Sequence, residues 1–131
     1  MARLREHPAE NLLWVCPISL GEIEWGLCMG ADDDKRAACR RFIDENLDYF
    51  HPIDETTRDS YAFIMERIWR AHPPPNTRTD TQKHLSEQGV DVNDVWIAAV
   101  ALERGLTLLT EDRMATIRAC VPELLFGNWL E

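Results

Sequence analysis

The stretch from Val92 to Thr110 constrains this chain more than any other. It runs as a helix-forming segment, Val92-Asn93-Asp94-Val95-Trp96-Ile97-Ala98-Ala99-Val100-Ala101-Leu102-Glu103-Arg104, closed by Gly105 and followed at once by the apolar run Leu106-Thr107-Leu108-Leu109-Thr110. Glycine just beyond the last helical residue is the usual C-terminal stop. A short, continuously apolar run after it suits a strand buried on both faces.

Other segments repeat the arrangement. Leu12 to Ile18 reads as a buried strand ended by Pro17, and Ser19 opens a helix in capping-box form with Glu22, closing near Gly26. Asp32, Asp33 and Asp34 lead a second helix that carries its basic residues later, as the helix dipole favours. Tyr49 to Ile53 reads as a strand, and Asp54 starts a long helix with Tyr61, Ile64, Met65, Ile68 and Trp69 on one stripe. Pro73-Pro74-Pro75 must end it. One or two helical turns are expected between Asp80 and Gln88, a short helix near 113–119, and a last strand around Leu124 to Phe126. Residues 2–7 read as the tail of a helix stopped near Pro8. Helices alternating with short apolar strands imply an α/β fold with a parallel sheet covered on both faces. In such sheets ligands bind beyond the carboxyl ends of the strands.

Composition narrows the class. The 131 residues fit a single domain, and 45% hydrophobic with 28% charged residues is ordinary globular composition. The net charge of −9 argues against holding nucleic acid by broad phosphate neutralisation. It leaves room for a nuclease, because carboxylates gathered for a metal push the balance acidic. Cys16, Cys28, Cys39 and Cys120 form no C-x-x-C pair, so they read as reduced thiols serving as small core hydrophobes. No signal peptide and no membrane-length apolar run is seen, and a cytoplasmic protein is expected. The five tryptophans (Trp14, Trp25, Trp69, Trp96 and Trp129) read as core or dimer contacts, and His7, His51, His72 and His84 as incidental.

Three carboxylates stand out by position. Asp94 shares a stripe with Ala98, Ala101 and Gly105, a row of small residues that lets the helix lie close on a sheet. An inward carboxylate there is costly unless paired or metal-bound, although Asp94 could equally cap its own helix beside Asp91 and Asn93. Asp112 falls just past the carboxyl end of the strand from Leu106 to Thr110, and could likewise be an N-cap. Glu22 suits the third position of a capping box, yet its helix follows a strand directly and Gly26, four residues on, leaves the same face bare.

Taken together, the segments resemble PIN-domain ribonucleases, specifically the toxin half of VapBC-type toxin–antitoxin pairs. The resemblance rests on Ile18-Ser19-Leu20-Gly21-Glu22-Ile23-Glu24-Trp25-Gly26, on Asn93 to Leu102, on Gly105 to Asp112, and on the closing Asn128-Trp129. It implies a PIN-like, Rossmannoid three-layer fold over residues 1–131. It further implies a Mg²⁺- or Mn²⁺-dependent endoribonuclease, with Glu22, Asp94 and Asp112 as catalytic and metal-binding residues and Ser19 and Thr110 in support. RNA as substrate, a cognate antitoxin and a homodimer follow from the same resemblance. The family opens on a strand ending in an aspartate, and neither Glu6 nor Glu10 matches it. A chain missing that first strand is therefore expected, with its remaining strands in one parallel sheet that has a gap or rearranged pairing where the strand belongs. The competing reading is an inactive relic that only binds a partner.

Overall fold

The computed structural model describes residues 14–30, 32–46, 49–50, 52–76, 78–109 and 114–127. The chain divides into two compact units, residues 1–52 and 53–131.

In the first unit, strand β1 (Trp14–Val15) leads into helix α1 (Pro17–Gly30), and helix α2 (Asp33–Asn46) leads to strand β2 (Tyr49–Phe50). The two strands pair in parallel, Trp14 with Tyr49 and Val15 with Phe50. Helix α1 starts earlier than the sequence suggested. Proline is favoured at the first helical position, where its fixed φ fits and its missing N–H would have no partner anyway. Pro17 therefore begins the helix instead of ending the strand. Ser19 then lies within the first turn, its hydroxyl 3.5 Å from the Cys16 thiol, and the Leu20 N–H donates to the Cys16 carbonyl. The expected Ser19–Glu22 capping box does not form. Nor does Gly26 end the helix, which runs on to Gly30.

Helix α2 follows expectation: the Lys35 N–H donates to the Asp32 carboxylate at 2.8 Å, and Asp33 and Asp34 fill the first turn. Arg40 of α2 pairs with Glu24 of α1 through Nε and Nη2, one edge of the guanidinium donating to both carboxylate oxygens, which holds the Glu24 carboxyl below its usual range.

In the second unit, helix α3 (Thr57–Ala71) is followed by helices α4 (Thr81–Glu87) and α5 (Val92–Arg104). Strand β3 (Thr107–Leu109), helix α6 (Ala115–Cys120) and strand β4 (Leu125–Gly127) complete it. Strands β3 and β4 pair in parallel, Thr107 with Leu125 through Leu109 with Gly127. The α/β class and the parallel pairing are those expected. The described strands make two separate parallel pairs, one in each unit.

Helix α3 begins three residues after Asp54. The Asp54 carboxylate accepts from the Thr56 N–H at 2.9 Å and the Thr56 hydroxyl at 2.6 Å, which favours a turn there over helix. The helix ends before the three prolines, with the His72 N–H donating to the Ile68 carbonyl. Asp80 caps α4, accepting from the Lys83 N–H at 2.9 Å. Gly105 ends α5 in the left-handed conformation, φ 64°, as its position required.

The core of this unit is Ile64 and Ile68 of α3, Leu85 of α4, Val95, Ala98, Ala99 and Ala101 of α5, and Ile117, Val121 and Leu124. The stripe anticipated on α3 faces it, and each buried Ile or Leu contributes about 1.5–3 kcal/mol. Tyr61 of α3 stacks on Trp96 of α5 with ring centroids 3.8 Å apart. Trp25 on α1 is 67% exposed, so of the two readings, core or dimer contact, the core one does not apply to it. His84 has a packing role: it is buried, its Nε2 lies 2.6 Å from the His72 carbonyl, and its ring meets Trp69 edge-on. The thiols divide as well, Cys16 being buried and Cys28 exposed, and all four cysteines are free.

Ile68→Ala should lower unfolding free energy by about 2–5 kcal/mol in a urea titration, because it empties fully buried space. Gly105→Ala should cost about 1–2 kcal/mol by the same measurement, because the left-handed backbone persists.

Stability should also respond to acid. Hydrogen bonds from the Thr56 side chain and backbone, aided by the Arg104 guanidinium, hold the Asp54 carboxyl below its usual range. A carboxyl lowered on folding stabilises above its unfolded value, about 3.9, and that contribution fades as pH falls through the lower folded value. Thermal midpoints measured from pH 6 downward should therefore fall less steeply for Asp54→Asn than for the parent chain. Equal slopes would remove Asp54 from the account.

Candidate functional site

Asp94 has the most fully described setting of the expected residues. It sits in the first turn of α5, half-buried, and its N–H donates to the Asp91 carbonyl at 3.0 Å. The capping role belongs to Asp91, whose carboxylate accepts from the Asn93 N–H at 2.8 Å and whose backbone is extended. Of the two readings left open by the sequence, the cap is thus filled by a neighbour. The stripe from Asp94 is also as expected, with Ala98 and Ala101 both buried. Small side chains at these positions let α5 seat closely among its neighbours and fix the direction of its first turn.

The other end of α5 is tied by polar contacts. The Thr57 hydroxyl, fully buried, donates to the Glu103 carboxylate at 2.9 Å, and the Thr56 hydroxyl contacts the same carboxylate. Arg104 lies 3.8 Å from Asp54. Buried hydroxyls and charges need such partners, and here they are met from the turn entering α3. Sequence reading missed this group. The sequence suggested a helix from Asp54, and the partners of this turn lie about fifty residues away in the chain.

Glu22 lies on α1 in the first unit, exposed, with open space beside Gly21 and Gly26 of the same helix. Ser19 is half-buried one turn before it. Asp112 and Thr110 fall outside the described residues, as do Glu6 and Glu10. Among the described residues, no three His, Cys, Asp or Glu side chains gather as ligands of one cation would. Asp94 and Glu22 belong to different units. The local observations therefore concern each residue singly: Asp94 in the first turn of a well-packed helix that Asp91 caps, Glu22 exposed on α1.

No helix among the described residues is long and apolar enough to cross a membrane. A PIN-domain family model matches residues 2–119, a span that holds Ser19, Glu22, Asp94, Thr110 and Asp112. Ribonuclease VapC4 of Mycobacterium tuberculosis is 28% identical over 101 residues, covering 75% of this chain. The match takes in 65% of that relative's length, a little under two thirds. Two solved structures share the fold. One is VapBC2 of Rickettsia felis bound to a DNA fragment from its promoter, at TM-score 0.62 and 17% identity over 92% of this chain and 76% of that one. The other is VapBC-1 of nontypeable Haemophilus influenzae, at TM-score 0.63 and 18% identity over 99% of this chain and 84% of that one.

Capping and site roles are separable by substitution. Asp91→Ala should lose about 0.5–2 kcal/mol of unfolding free energy, the usual cost of an N-cap. Glu22→Gln, on an exposed helix face, should stay within about 0.5 kcal/mol of the parent in metal-free buffer. A larger loss at Glu22 than at Asp91 would make Glu22 a structural residue.

Proposed function

The chain belongs to the PIN-domain family, and on that premise we propose that it is a VapC-like endoribonuclease that hydrolyses RNA phosphodiester bonds. The observation that carries this reading is the family match over residues 2–119, which includes every proposed site residue. The match also crosses the boundary between the two units, which supports treating them as one domain.

In this reading Glu22, Asp94 and Asp112 converge to hold Mg²⁺ or Mn²⁺, with Ser19 and Thr110 in support. The donor chemistry suits these ions: all three side chains offer hard carboxylate oxygens, and Mg²⁺ keeps several of its own waters, so few protein ligands suffice. When bound, the ion supplies an acidified water and neutralises charge developing on the phosphate. The role left to the chain is placement. Asp91 caps α5, and the buried Ala98 and Ala101 seat the helix whose first turn carries Asp94. No side chain is required as a covalent nucleophile.

The similar proteins support the partners. Ribonuclease VapC4 names the activity, and the two solved neighbours are VapBC assemblies. An antitoxin partner, a homodimer and a cytoplasmic setting complete the proposal.

Two measurements test it. Asp94→Asn should reduce Mg²⁺-dependent cleavage of RNA to background, while the unfolding midpoint in metal-free buffer stays near that of the parent. Unchanged cleavage would place the chemistry elsewhere. Titrating the parent chain with Mn²⁺ should raise its thermal midpoint with rising concentration, because an ion that binds only the folded state stabilises it. A midpoint indifferent to Mn²⁺ would favour an inactive, partner-binding domain.

A further inference from the structure

We draw no further inference here: the strongest candidate, the exposed apolar patch that Trp25 and Met29 form one turn apart on α1, has nothing in the structure to show what covers it.

Discussion

The packing of α3 on α5 is the contact on which the second unit depends. It joins the fully buried Ile64 and Ile68 to a helix whose inner side is Val95, Ala98, Ala99 and Ala101. The alanines matter because close approach needs small side chains on one partner, and dispersion contacts fall away quickly with separation. Everything else in the unit is placed against this pair. Leu85 of α4 joins the same cluster, as do Ile117 of α6 and Leu124 just ahead of β4. Strand β3 follows α5 after only Gly105 and Leu106, so the helix also decides where the parallel pair begins.

The first unit is held together differently. Helix α1 buries none of its side chains, and its described tie to α2 is the Glu24–Arg40 pair on the surface. Surface ion pairs of this kind stabilise little, since water and salt screen them. The contrast bears on where a proposed site can be rigid. Asp94 rests on a helix with a packed inner side, whereas Glu22 sits on one whose described neighbours grip it lightly.

Much of this was legible in the chain. Helix α5 and its stop at Gly105 could be read because three signals agree there: Asp91 before it, a small-residue stripe along it, and glycine after it. The prolines after Ala71 and the Asp80 cap were equally local. Errors arose where a local signal had two meanings. Pro17 can end a strand or start a helix, and Ser19-x-x-Glu22 looks like a capping box whether or not a proline two residues earlier has already opened the helix. Burial was the other gap. His84 has no periodic pattern to mark it, and its carbonyl partner lies twelve residues back, across the proline break. The candidate site was legible mainly through spacing and family likeness. For Asp94 the structure adds that the N-cap of its helix is Asp91.

Helix α5 can also be viewed as a short beam on two bearings. One bearing is the Glu103 carboxylate seated on Thr56 and Thr57, and the other is the indole of Trp96 lying on Tyr61. Seven residues separate them, about 10 Å along the axis, and Asp94 overhangs the second by two residues, about 3 Å. A single bearing would fix where the beam sits and leave its tilt free, whereas a pair fixes both. With so short an overhang, a 1 Å slip at the aromatic bearing moves the Asp94 end by only about 1.3 Å. The carboxylate therefore inherits the alignment of two distant contacts unequally: an error at the aromatic bearing reaches its end scarcely magnified, whereas one at the Glu103 bearing arrives reduced to roughly a third.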